Sequence, residues 1–162
     1  MNKIFAGVVA AILSFNAFSA AASTVKEDTW VHVKNEKAMM VLNVNKAGDI
    51  LSFNCEKGIG AWIALESRFV GSIIVPDNDP HAITVELLVV DSNDQLVRWT
   101  KDDLDFNKPN GAGQQRVQKL FESLHTAKKV EALIDGETVE KFVGAPSVAF
   151  PNYSEIAGFC KL

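Results

Sequence analysis

Cys55 and Cys160 stand roughly a hundred positions apart, and a bond between them would pin the chain's end to a segment in its first half, which few folds allow. Such a bond needs an oxidising compartment, and the first residues supply the route to one. Lys3 gives a positive start, Ile4 to Leu13 a short apolar run, and Ser19-Ala20-Ala21-Ala22 the small residues of a cleavage site. Met1 to about Ala22 therefore reads as a Sec signal peptide, leaving a mature chain of residues 23–162. The apolar run, broken by Ser14 and Asn16, is short for a membrane span. Reactive or metal-binding cysteines would call for a Cys-x-x-Cys, a basic cluster or a histidine at ligand spacing, and neither cysteine has one. A structural Cys55–Cys160 disulfide is the expectation.

Charge narrows the range of partners. Of 16 Lys and Arg, one lies in the leader, so 15 face 20 acids in the mature chain, a net of about −5. A mildly acidic domain without a basic cluster is poorly suited to nucleic acid or anionic lipid. With 48% hydrophobic and 22% charged residues the chain can bury a core, and its length fits one domain. No cysteine near the cleavage point offers a lipid anchor. The expected location is the periplasm, with no stable membrane anchor.

From Thr29 to Phe106 the pattern is of β type. Trp30 to Val33, Met39 to Val44, Ile50 to Cys55, Trp62 to Leu65 and Ser72 to Val75 are short strands separated by turn residues. Ala82 to Val90 and Leu96 to Thr100 flank Asp91-Ser92-Asn93-Asp94 and predict a hairpin. Its first arm becomes apolar on both faces at Leu88 and Val90, as a central strand does. Gln114 to Lys128 carries Val117, Leu120, Phe121, Leu124 and Ala127 in one stripe and predicts an amphipathic helix, with Lys128 and Lys129 at its negative pole. Val130 to Ile134 and Thr138 to Val143 bracket Asp135-Gly136, a type I′ signal. A plain two-residue loop there would oppose Glu131 to Glu140. Tyr153 to Phe159 predicts a last short helix delivering Cys160.

Chemistry-bearing patterns fail at their demanding positions. Asp103, Asp105 and Asn107 begin like a calcium loop, but Lys108 stands where glycine is required and Gln114 where the bidentate glutamate belongs. His32, His81 and His125 are scattered, and no spacing among them demands a metal. There is no Gly-x-Ser-x-Gly elbow, and Gly111-Ala112-Gly113 completes neither a phosphate loop nor a dinucleotide fingerprint. A carboxylate pair of the glycosidase type remains open among many acids, which more often form plain surface. Trp30, Trp62 and Trp99 fall on separate strands, where large aromatics usually fill a core instead of lining a groove.

The order of these features resembles the VasI/TagO-like exported proteins associated with type VI secretion. The matching positions are Cys55 at a strand end, the 82–100 hairpin with Trp99, Ala127-Lys128-Lys129 after the helix, then Phe142, Gly144 and the terminal Cys160. The likeness spans roughly residues 30–162. Where that family commonly carries Tyr-Arg-x-Asp in the hairpin's first arm, this chain has Leu88-Val89-Val90-Asp91. The resemblance implies an accessory role without catalysis. A phage-encoded envelope or immunity factor, or a carboxylate-based envelope hydrolase, are the alternatives.

The expected fold is α+β: an antiparallel sheet or small β-sandwich over Trp30 to Thr100, joined by the 130–143 hairpin, with one amphipathic helix on a face and a single disulfide. The expected function is protein binding in the cell envelope, with no cofactor and no metal. The candidate partner surface is the hairpin's acidic flank: Asp91, Asn93 and Asp94 at the tip, then Arg98, Asp102, Asp103 and Asp105.

Overall fold

A computed structural model describes residues 29–75, 84–106, 111–143 and 151–160. Five strands follow one another as a meander: β1 (Trp30–Lys34), β2 (Ala38–Val44), β3 (Ile50–Glu56), β4 (Gly60–Ser67) and β5 (Gly71–Val75). Each pairs antiparallel with the next, so β3 lies in the middle and β1 and β5 at the edges. Short polar side chains fold the turns. The Asn35 carboxamide oxygen accepts the Lys37 and Ala38 amides, each at 2.8 Å. Asn45 does the same for Ala47 and Asp49 at 2.9 Å, and Gly48 beside it takes the left-handed φ of 85° that a Cβ would penalise.

A second antiparallel sheet holds β6 (Val85–Val90), β7 (Leu96–Trp99), β8 (Lys129–Ile134) and β9 (Glu137–Val143), in the order β7-β6-β8-β9. The hairpin expected over 82–100 thus leaves the first five strands and joins the 129–143 hairpin. β6 is central, as its two apolar faces require: Leu88 sits opposite Arg98 on one side and Glu131 on the other. Its expected start at Ala82 and Ile83 lies outside the described residues.

The β8–β9 turn has the φ signs of type I′, with Asp135 at 50° and Gly136 at 84°. The like-charge pairing of Glu131 with Glu140 does not arise. A bulge between Ala132 and Leu133 lets β9 slip by one residue, so that Glu131 faces Lys141 and Ala132 faces Glu140.

The long helix, α1 (Gly111–His125), begins and ends about one turn earlier than its stripe predicted. Lys128 and Lys129 therefore do not cap it. Lys128 reaches Asp94 at 2.9 Å, and Lys129 opens β8 and pairs with Glu131. Helix α2 (Tyr153–Cys160) is started by Asn152, whose carboxamide oxygen accepts the Glu155 amide at 3.0 Å.

Both sheets and both helices contribute to one hydrophobic core. Leu51, Phe53, Ile63 and Leu65 come from the first sheet, Val85, Leu87, Val89 and Val130 from the second, and Leu120, Phe121 and Leu124 from α1. Phe121 is a hub, with ring centroids 5.6 Å from Phe53, 5.7 Å from Phe106 and 6.3 Å from Tyr153. The Cys55–Cys160 disulfide joins β3 to α2 across 105 positions, with Cα atoms 5.8 Å apart. An α+β fold of antiparallel sheets with a single disulfide is what the structure has.

Candidate binding surface

The inner faces of the two sheets share a core, but their outer faces differ in kind. On the second sheet the outward positions carry Glu86, Arg98, Lys129, Glu131, Thr138 and Lys141, interspersed with the apolar Leu88, Val90, Leu96 and Leu133. The polar ones neutralise one another: Arg98 Nε donates to Glu86 at 3.0 Å, Lys129 pairs with Glu131, and the Thr138 hydroxyl donates to Glu131 at 3.1 Å. The Lys129 hydrogen bond, aided by Thr138 and the charge of Lys141, holds the Glu131 carboxyl below the usual carboxylate range against the opposing effect of burial. Cross-strand charge pairs of this kind suit a face in water.

On the first sheet the register sends the alternate set outward: Val31 and Val33, then Met40, Leu42 and Val44, Ile50, Trp62 and Ala64, and Ile74. Most are half-buried; Leu42 and Ala38, like Ser52 and Asn54 at the middle of β3, are buried yet stand outside the shared core. Ser52 and Asn54 interrupt this field at the middle of β3, with the Asn54 amide donating to the Ser52 hydroxyl at 2.8 Å. The ring of Phe121 in α1 and the disulfide of α2 meet this sheet on its inner face, at Phe53 and Cys55. Charge appears on the outer face at its ends, as Glu56 and Glu66. Glu56 Oε2 is buried without a hydrogen-bond partner among the described residues.

The turns at one end of this sheet are held by a buried carboxylate. Asp49, fully buried, accepts the Arg68 amide at 3.0 Å through Oδ1 and the Asn45 carboxamide at 3.2 Å through Oδ2. The Arg68 guanidinium lies 3.9 Å from the same carboxylate and 5.8 Å from the centre of the Phe69 ring. Phe69 is 78% exposed beside that guanidinium. The opposite end carries Glu56, Lys57 and exposed Ile59.

The acidic flank singled out in the sequence is only partly a displayed surface. Asp91 folds its own turn, accepting the Asn93 amide at 2.8 Å and the Gln95 amide at 2.9 Å. Asp94 has a φ of 62° and pairs with Lys128. Asn93 is exposed, and the Arg98 side chain is half exposed while paired with Glu86. Asp103 is buried: it accepts the Thr100 amide and hydroxyl, both at 2.9 Å, and pairs with Arg116 of α1. Asp102 is exposed and Asp105 half-buried, so the flank as described offers fewer open carboxylates than its sequence.

Of the tryptophans, Trp30 and Trp99 belong to the core and Trp62 to the outer face of the first sheet. His32 lies at the edge of the inner face, and burial lowers its pKa more than the nearby Glu155 carboxylate raises it, with Lys34 acting in the same direction as burial. His125 is exposed at the end of α1, while His81 and Asn107 fall outside the described residues. Among the described residues no three His, Cys, Asp or Glu side chains converge as metal ligands, and no helix is long and apolar enough to cross a membrane. A gap of about 10 Å³ beside the disulfide, lined by Met39, Phe53, Phe106, Ile156 and Cys160, has room for one water.

No protein-family model, no curated protein and no solved structure matches this chain. The binding surface thus rests on its own residues. Sequence reasoning passed over it, although Met39 to Val44 is apolar at alternate and intervening positions alike, the signal of a strand needing cover on both faces.

Proposed function

We propose that the protein is exported to the bacterial periplasm and works there without catalysis, by binding another protein through the outer face of its five-stranded sheet. The observation that carries this reading is the contrast between the two outer faces. On one, ion pairs alternate with Leu88, Val90, Leu96 and Leu133; the other is apolar from β1 to β5 except at Ser52 and Asn54 in its middle and at Glu56 and Glu66 at its ends. Monomeric domains rarely leave a continuous apolar patch beyond a few hundred Å² in water. The disulfide fits an oxidising compartment. A place beside a type VI secretion apparatus, which the sequence resemblance implies, is the finer form of this proposal.

The experiment is co-purification from the host envelope with Trp62→Arg against wild type, using Lys141→Glu on the other sheet as control. Recovery of the partner falls at least about tenfold for Trp62→Arg and is unchanged for Lys141→Glu, as expected for a central aromatic anchor against a rim charge. Equal recovery with all three proteins would refute the assignment.

A further inference from the structure

Neither cysteine has a basic cluster in the sequence around it, yet the fold brings two lysines together beside the bridge. Lys34 at the end of β1 and Lys57 in the β3–β4 turn hold their ammonium groups 5.1 and 4.8 Å from the ring centre of Phe159, the residue before Cys160. The two halves of the bridge differ in exposure. Cys55 is 4% exposed and belongs to the core, whereas Cys160 is half-buried on α2. Two residues before it Gly158 is exposed, with nothing within 4 Å of where a Cβ would stand. A gap of about 10 Å³ borders both cysteines. From the bridge and its surroundings, independently of the sheet face, we infer that Cys160 is a thiol-exchange site, at which a negatively charged thiol opens the Cys55–Cys160 disulfide.

The step is a displacement at sulfur. The incoming thiolate attacks Cys160 Sγ, the S–S bond breaks, and Cys55 leaves as a thiolate that takes up, through water, the proton the incoming thiol lost. Cys160 is then held in a mixed disulfide. A second thiol, from the same dithiol or another molecule, attacks the incoming sulfur and frees Cys160, so two thiols become one disulfide as the bridge is reduced. Burial bars the converse attack on Cys55. Access and local charge govern such exchange, and two ammonium groups draw in an anionic thiolate while repelling a cationic one. The bridge is not the only tie on α2. Ile156 is buried in the core, the Tyr153 ring lies 6.3 Å from that of Phe121, and Glu155 pairs with Lys34 at 3.3 Å. The bond therefore opens with the helix still seated.

The test treats the folded, oxidised protein with reduced glutathione, a net anion, or with cysteamine, a cation. The reaction is quenched with an alkylating agent and mapped by peptide mass spectrometry, with circular dichroism following the fold. The mixed disulfide forms on Cys160, and Cys55 appears as the freed thiol. The ratio of the glutathione rate to the cysteamine rate falls about two- to threefold in Lys57→Gln, and further when Lys34→Gln is added, as the loss of one and then two nearby charges in water requires. A variant that merely loosens α2 speeds both thiols alike and leaves the ratio unmoved, so the ratio reads charge and not stability. Adducts on Cys55 as often as on Cys160 would overturn the inference. So would a bridge that opens only in denaturant, or a ratio indifferent to both lysines. None of these outcomes bears on the sheet face, whose own test is partner recovery with Trp62→Arg.

Discussion

Asp102 and Asp103 are adjacent acids with different surroundings, and that difference decides what each substitution does. Asp103 is buried and takes three polar contacts, two from Thr100 and one from Arg116. Asp103→Asn keeps the shape but loses the charge facing Arg116 and weakens the acceptors, so it costs about 1–3 kcal/mol. Asp102→Asn, on the exposed side of the same turn, stays within about 0.5 kcal/mol. Urea melts of both variants check the pair, and equal losses would contradict the burial of Asp103. His32 supplies a pH dependence. Its folded-state pKa lies below 6.5 because burial opposes protonation, so the contribution is fully present above the unfolded value and is lost as pH falls through the folded one. His32→Gln removes the titrating group. Its urea midpoint should change less than that of wild type between about pH 7.5 and 5, and identical profiles would speak against a buried imidazole.

Helix α1 and the disulfide are the elements whose removal reads most clearly. Leu120 is fully buried among residues of both sheets, so Leu120→Ala should cost about 2–5 kcal/mol in a urea melt. A loss under half a kcal/mol would mean the helix is not packed as described. Breaking the bridge by Cys160→Ser removes a loop constraint over ~100 residues, worth at most about 4–5 kcal/mol. The loss should appear first as faster amide exchange in α2, which the bridge ties to β3. What the sequence made legible was local. The alternation in Trp30 to Val33 and Ile50 to Cys55, the Asp135-Gly136 turn and the stripe of α1 all report the residues beside them. The partition into two sheets was not legible, because β6 finds β8 across about forty residues and an intervening helix, and periodicity says nothing about which strand is a neighbour. The bulge opposite Leu133 was hidden for the same reason: a one-residue slip is decided by which charges then meet across the strands. The acids at 91 and 94 were visible as turn formers and the structure spends them there; Asp103, expected on the open flank, is buried instead.

The whole molecule sets one core between inner faces and turns outward one face on which ion pairs alternate with apolar side chains and one that is apolar across most of its strands. That asymmetry is the central claim, since a domain that needed only to fold would have no reason to keep Val33, Met40, Trp62 and Ile74 together on the far side of its first sheet. The most direct measurement is photocrosslinking in intact host cells with a photoreactive side chain at Ile74, on the apolar face, and separately at Lys141, on the charged one. The account predicts discrete adducts with another envelope protein from position 74, and none from position 141. Adducts from position 141 alone, or from neither, would contradict it.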